Sequence, residues 1–99
     1  MRNYGTITGR NEYAKKRGFE LKPVLGDHYA KNFHKGNVSV WRCIHDGKLA
    51  WAVAELEPYT HQPSWSTVAI KSEHYVNHAY FLELEAALNE ADSRQKIGT

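Results

Sequence analysis

The side chains best suited to chemistry in this chain are its six histidines and its single cysteine. His74 and His78 are four residues apart, and on a helix this spacing places both on one side, as two ligands of one metal ion require. The metalloprotease helix motif has a glutamate directly after its first histidine, whereas this chain has Tyr75 there. His74 and His78 are therefore weak metal candidates, and the sequence predicts no metal ion.

A nucleophile or an acid–base pair is the second chemistry to consider. Cys43 is the only thiol, and a cysteine within a strand usually packs as a small hydrophobic residue. His28 and His34 are of the type that serves as acid and base in small ribonucleases. The sequence contains no glycine-rich phosphate loop, nucleophile elbow or paired-cysteine motif. It therefore predicts no catalytic residue and no cofactor, and a small histidine-dependent hydrolase or metal-binding protein is kept as an alternative function.

The elements that must position these residues are clearest around Asp46 and Gly47. The Asp-Gly dipeptide suits a two-residue type I′ turn, because both turn positions need a positive φ. Alternating apolar residues on both sides predict antiparallel strands over 38–45 and 48–56. The turn fixes the register, and the predicted pairs are His45–Lys48, Ile44–Leu49, Arg42–Trp51, Val40–Val53 and Val38–Glu55.

Side chains alternate between the two faces of this hairpin. One face is mostly large and apolar and is predicted to be the core face; it carries Val38, Val40, Arg42, Ile44, Leu49, Trp51, Val53 and Glu55. The other face carries small residues around Trp41, where a solvated face would show Thr, Lys and Glu. We expect this second face either to be covered by the N-terminal segment or to be a contact surface.

The remaining elements are predicted from caps, breakers and periodicity. Ser72 is a good N-cap, and apolar residues from Val76 to Ala91 follow it at helical spacing. The predicted fold class is α+β, with a three-stranded antiparallel sheet packed by a long C-terminal helix. The predicted elements are short helices over 11–17 and 28–33, an extended segment over 19–25, strands over 38–45, 48–56 and 65–71, and a helix over 73–93. We expect one domain over 1–99, with a loose arm over 1–9 and a frayed tail over 94–99.

This element order resembles the double-stranded-RNA-binding domain and, less closely, the three-strand-plus-helix DNA-binding domains of plants. The resemblance implies nucleic-acid binding. In the RNA-binding family, lysines at the start of the last helix reach phosphates across a groove, whereas the equivalent segment here, Ser72–His78, has no lysine. For the DNA-binding pattern, which needs Arg and Trp projecting from the sheet, the available residues are Arg42, Trp41 and Trp65.

Charge is distributed unevenly along the chain, although the formal net charge is only +2. Residues 1–37 carry eight Lys or Arg residues and three acidic residues, whereas residues 38–99 carry five and eight. A basic N-terminal third beside an acidic body predicts either an anionic partner or intramolecular complementarity. A nucleic-acid-binding module is therefore an alternative function, and its candidate contacts are Arg10, Lys15, Lys16, Arg17 and Lys22.

Composition limits where such a protein is expected to work. A single cysteine among 99 residues allows no intramolecular disulfide and fits a reducing compartment. Residues 1–20 contain no apolar run of the signal-peptide type, and no stretch is long enough to span a membrane. We therefore expect a cytoplasmic protein with no membrane partner.

Two aromatic or apolar surfaces predict contacts with another protein. On the back of the predicted C-terminal helix, Tyr75, Ala79, Leu82 and Ala86 form a semi-apolar stripe, covered either by a partner or by the chain's own N-terminal third. The segment 57–65 combines two prolines with aromatic residues, which favour binding hot spots at low ordering cost. The predicted partner-binding residues are Trp41, Tyr59, His61, Trp65, Tyr75, Leu82 and Ala86.

These surfaces, together with the missing catalytic motifs, favour a small non-enzymatic binding protein. We expect it to act through contacts with a protein partner or with a second copy of itself. Compact proteins of this character include accessory proteins of phages and other mobile elements that inhibit a host system.

Overall fold

The described residues form one antiparallel sheet of five strands, with one helix before the sheet and one after it in the sequence. The computed structural model describes residues 6–24 and 27–95, with residues 27–29 described in their backbone only. The sheet order follows the chain order, so each strand pairs with the next. The elements are α1 (Ile7–Lys16), β1 (Glu20–Val24), β2 (Asp27–Lys35), β3 (Val38–His45), β4 (Lys48–His61), β5 (Ile70–Phe81) and α2 (Leu84–Ser93).

The central hairpin forms in the predicted register. His45 lies opposite Lys48, and the pairing continues through Arg42 and Trp51 to Val38 and Glu55. Asp46 and Gly47 have φ values of 52° and 75°, as the type I′ turn requires. The predicted core face is buried where the helices cover it, but Ile44 and Leu49, near the turn, are 66% and 56% exposed.

The α+β class is confirmed, but the predicted three-stranded sheet is wrong. Residues 28–33 were expected to form a helix and instead belong to β2, in which Phe33 pairs with Val40 and is 1% exposed. Gly36 has a φ of 62°, which glycine adopts without strain, and so allows the turn into β3. The expected extended segment over 19–25 is β1, which adds the fifth strand.

The predicted helix over 73–93 is also wrong, because its first half is strand β5. Asn77 has a φ of 57° and lies at an irregularity where the pairing shifts between Val53 and Glu55. One extra residue at this β-bulge shifts the alternation, so Val76 and Ala79 lie on one face although they are three residues apart. That spacing is helical, which explains why the pattern predicted a helix. Only Leu84–Ser93 is helical.

The predicted strand over 65–71 is replaced by the loop that joins two long strands. β4 continues to His61, and β5 begins at Ile70. Beyond Leu56, whose N–H donates to the Asn37 carbonyl at 2.7 Å, β4 has β5 as its only described strand neighbour. Pro58 is therefore tolerated within β4, because its missing N–H costs no bond to a third strand. We call residues 57–74 the ribbon.

Helices α1 and α2 pack on the same face of the sheet, which we call the covered face. α1 begins earlier than its predicted start at Asn11, because the Thr6 hydroxyl accepts a hydrogen bond from the Gly9 amide at 2.9 Å and acts as the N-cap. The core of this face contains Ala14, Phe19, Phe33, Val38, Val40, Trp51, Val53, Leu84, Ala87, Leu88 and Ala91.

Charged contacts join the C-terminal helix α2 to the N-terminal third of the chain and to the bulge in β5. The Asp92 carboxylate of α2 accepts hydrogen bonds from Arg17 and, at 2.8 Å, from Lys35. Arg94 donates to the carbonyl of Asn77 at 2.7 Å and to Glu55 at 3.3 Å, so the end of α2 holds the bulge. Part of the basic N-terminal third therefore complements the acidic C-terminal helix. Neither of the two described helices is long and apolar enough to cross a membrane.

Candidate functional site

The face of the sheet opposite the helices carries a layer of aromatic rings. We call it the aromatic face and define it by Trp41, His45, Tyr75, His78 and Tyr80. The ring centroid of Trp41 lies 5.1 Å from that of Tyr75 and 6.1 Å from that of His78, with an edge-on arrangement in the second case. His45 stacks on Tyr80 at 3.8 Å with an interplanar angle of 4°. Rings from two strands, β3 and β5, thus form a continuous layer across β4.

Small side chains beneath this layer explain its shape. Ala52 lies between Trp41 on β3 and Tyr80 on β5 and is fully buried, as is Ala54. Both described helices pack on the covered face, and on the aromatic face Ala52 is flanked by Trp41 and Tyr80. Because alanine has no side chain beyond Cβ, the flanking rings can lie over it. Tyr75 and Tyr80 remain 42% and 41% exposed.

The electrostatics of this side of the sheet are nearly neutral. Lys22 and Glu20 form an ion pair with a distance of 3.0 Å between Nζ and Oε1. The His34 Nδ1 lies 3.1 Å from the hydroxyl of buried Ser39. Burial, and next the nearby Lys22 charge, lower the pKa of His34 from its ordinary value, so its neutral form is favoured. Within the described residues, this side therefore lacks the concentrated positive charge that phosphates require.

A cavity of about 300 Å³ opens at the turn end of the aromatic face. Its walls come from the β3–β4 turn and from the end of β5. They are formed by His45, Asp46, Lys48, Ala50, Tyr80, Phe81 and Leu82. The cavity is thus an extension of the aromatic face, with an imidazole–phenol stack on one side and the exposed Leu82 side chain near its rim.

The structure brings together only some of the predicted partner-binding residues. Trp41 and Tyr75 meet on the aromatic face. Tyr59 lies in the ribbon, with its ring 5.4 Å from that of His61, and Trp65 is 80% exposed in the loop at the ribbon's end. These residues form two separate surfaces.

The predicted helical stripe of Tyr75, Ala79, Leu82 and Ala86 does not exist, because its residues lie in different elements. Tyr75 is in β5, Leu82 is in the turn that follows and is 63% exposed, and Ala86 is in α2. Sequence reasoning missed His45, His78 and Tyr80. The signal that could have found them is the row of alanines on the Trp41 side of the hairpin, Ala50, Ala52 and Ala54, because such small side chains leave room for rings from the next strand.

The histidine pair proposed as weak metal ligands is separated by the bulge. His74 stacks on Tyr59 at 4.6 Å, and its Nε2 lies 3.5 Å from a Glu57 carboxylate oxygen. His78 instead contacts Trp41 on the aromatic face, so the two imidazoles lie on opposite faces of the sheet. Among the described residues, no three His, Cys, Asp or Glu side chains are grouped so as to hold a metal ion.

The basic residues proposed for nucleic acid have several different surroundings. Arg17 donates to Asp92, Asn89 and Tyr13, and the Asp92 hydrogen bond is the main reason that its pKa is raised. Arg10 lies 5.6 Å over the Trp51 ring, and burial lowers its pKa. Lys22 is paired with Glu20. Lys15 and Lys16 are exposed on α1.

Comparisons of the chain with protein-family models, curated proteins and solved structures find no match. The geometry of the described residues is therefore the basis for a functional proposal. Of the surfaces compared above, the aromatic face combines the largest set of converging rings with partial exposure, and we take it as the candidate functional site.

Proposed function

We propose that this protein is a non-enzymatic binding protein that docks a protein partner on its aromatic face. The observation that carries the proposal is the exposure of Tyr75 and Tyr80, about two-fifths each, on a face that neither described helix covers. Tyr and Trp are enriched at binding hot spots, because they bring a large contact area at a low entropic cost. The rings are held on strands, so their positions are fixed before a partner arrives.

The chemistry of the face favours a partner surface that is uncharged and partly apolar. Its rings offer apolar faces together with phenol and imidazole edges that donate or accept hydrogen bonds. Lys22 on the same side already pairs with Glu20. A phosphate backbone would find few unpaired cations here, whereas a protein surface with apolar groups and backbone carbonyls would be complemented.

The ribbon supplies a second region that a protein partner could contact. Trp65 and Val68 in its loop are 80% and 67% exposed, and Tyr59 is 37% exposed. Exposed apolar groups at the end of a projecting pair of strands are typical of interaction sites. The predicted contacts Tyr59, His61 and Trp65 belong to this region and remain predictions.

The test compares variants on the two sides of the sheet. Tyr75→Asp and Tyr80→Asp each place a carboxylate among the rings. Ile44→Asp is the control, because it places a carboxylate at a residue that is 66% exposed on the covered face. Immobilised wild type, variants and control are incubated with the same cell extract, and captured proteins are quantified by mass spectrometry in low and high salt. We expect a protein that wild type and Ile44→Asp retain and that both tyrosine variants lose.

Equal capture by all four proteins, with circular dichroism showing that each is folded, would contradict docking on the aromatic face. Capture that disappears at high salt would favour the nucleic-acid alternative, because counterion release makes phosphate binding strongly salt-dependent. Lys15→Glu and Lys16→Glu would then be the variants to examine on duplex RNA and DNA. Inhibition of a host system by a phage or mobile-element protein stays a prediction from the sequence.

A further inference from the structure

Among the described residues, no strand pairs with the outer edge of β5 along the ribbon. β5 is the last strand of the described sheet, and its only strand partner there is β4. Over Ile70–His74, Lys71, Glu73 and His74 are exposed and the other two residues are half-buried. A strand edge of this kind presents a row of unpaired N–H and C=O groups to another strand.

The charged side chains along this edge would complement those of a second copy of the same edge. Lys71 lies opposite Thr60 and Glu73 opposite Pro58, so both project from the same face of the ribbon, on either side of Ser72. If two copies pair antiparallel about a two-fold axis through Ser72, Lys71 of each copy faces Glu73 of the other. Opposite charges directly across a strand pair are stabilising.

We propose that the protein forms a homodimer by antiparallel pairing of the β5 edges of two copies, centred on Ser72. The pairs are then Ser72 with Ser72, Lys71 with Glu73 in both directions, and Ile70 with His74 in both directions. Each surface is the same patch on both copies, as a two-fold interface requires. The occupant of this edge is therefore a second copy of this chain.

Charge selects this register over its neighbours. In an antiparallel pair, directly opposite residues lie on the same face of the sheet. A two-fold axis perpendicular to the sheet must therefore lie midway between the two copies of one residue, which then face each other. An axis through Lys71 would set two lysines against each other, and an axis through Glu73 would set two glutamates against each other. Like charges at directly opposed positions are destabilising, so the axis through Ser72 is the only one of the three with matched charges.

Pairing at the edge does not use the rings of the aromatic face. It would join two five-stranded sheets into one sheet of ten strands. Because the two-fold axis is perpendicular to the sheet, both aromatic faces would lie on the same side of the dimer. A partner docked there could then contact two sets of rings at once, which increases avidity without any new contact type.

The experiment is a charge exchange read by analytical ultracentrifugation over a series of protein concentrations. Lys71→Glu and Glu73→Lys each replace both matched pairs by like-charge pairs, and we expect each to weaken dimerisation about tenfold or more. The double variant Lys71→Glu, Glu73→Lys restores opposite charges across the axis and should regain the wild-type dissociation constant. Lys15→Glu, at an exposed residue of α1 far in sequence from the β5 edge, is the control and should dimerise as wild type does.

Several results would overturn the edge dimer. A wild type that stays monomeric at the highest soluble concentration would exclude it. So would single variants that dimerise as well as wild type, or a double variant that is no better than the singles while circular dichroism shows all of them folded. Loss of the dimer in Tyr75→Asp and Tyr80→Asp, with the edge variants unaffected, would place the self-contact on the aromatic face. Failure of the edge dimer would leave partner docking on the aromatic face untouched, because the two are read by different variants.

Discussion

The two faces of the sheet are closed in different ways. On the covered face, two helices exclude water, and Trp51 is only 3% exposed. On the aromatic face, Ala52 and Ala54 are just as deeply buried, although both described helices lie on the other side. On that face the described residues that flank Ala52 are Trp41 and Tyr80, and Tyr75 and Tyr80 still face solvent. One face is therefore completed by the chain's own helices, whereas the other ends in side chains that a partner can reach.

Matched tryptophan substitutions on the two faces should give the largest change in stability. Trp51 stacks on Phe33 at 5.8 Å, and the Arg42 guanidinium lies 4.9 Å over its ring. Trp51→Ala should lower the free energy of unfolding by about 3–5 kcal/mol, because it leaves a cavity beneath the helices. Trp41→Ala on the aromatic face removes a ring that is already half-exposed and should cost clearly less. Urea denaturation of both variants measures the difference, and equal losses would show that the two faces contribute equally to stability.

Replacement of Gly47 tests the turn that assigns residues to the two faces. Gly47 has a φ of 75°, and a Cβ placed there would have no atom within 4 Å. Gly47→Val should therefore lower the free energy of unfolding through backbone strain and not through crowding with neighbouring atoms. A β-branched residue at positive φ should lower stability by about 1–3 kcal/mol. The melting temperature measures the loss. Asp46→Asn is the control, since asparagine also tolerates this conformation. An unchanged melting temperature for Gly47→Val would show that the turn does not fix the register.

Asp92 tests how firmly the helices are fastened over the covered face, and we expect the smallest effect here. Burial alone would raise the pKa of this carboxyl, but hydrogen bonds from Lys35 and Arg17 outweigh it and hold the pKa below its ordinary value. The side chain is 33% exposed, so Asp92→Asn should cost only about 1 kcal/mol at neutral pH.

The pH dependence of the Asp92 contribution has a definite sign. A carboxyl whose pKa is lower in the folded state than in the unfolded state stabilises the fold fully above the unfolded pKa, which is about 4. The contribution disappears as the pH falls through the lower, folded pKa. Denaturation of wild type and Asp92→Asn should therefore differ at pH 7 and converge in acid. A constant gap between wild type and Asp92→Asn at every pH would contradict the ion-pair account.

The parts of the fold that were predictable are those in which local chemistry agrees with the tertiary structure. Asp46 and Gly47 determine the central hairpin within two residues, so its register is predictable from sequence. Asn77 has the opposite effect, because one extra residue gives β5 the spacing of a helix. Its positive φ is supported by Arg94, which is seventeen residues away and belongs to another element. No reading of the local sequence contains that contact.

The candidate site was predicted only in part for the same reason. Trp41 was recognised on the small face of the hairpin, and Tyr75 was recognised as a contact residue. Their meeting depends on β5 lying beside β4, which the helical prediction excluded. His45 and Tyr80 form the closest ring stack of the site, but their pairing needs the same strand neighbour. Prediction of the site thus failed where prediction of the strand failed.

The three tryptophans give the molecule a built-in set of optical probes. They report on the core, the aromatic face and the ribbon loop, since Trp51 is 3% exposed, Trp41 is half-buried and Trp65 is 80% exposed. Indole emission shifts to the red with hydration, so each residue should emit at its own wavelength. Variants that keep one indole each would therefore separate unfolding, docking on the rings and movement of the ribbon by fluorescence alone, without an attached dye.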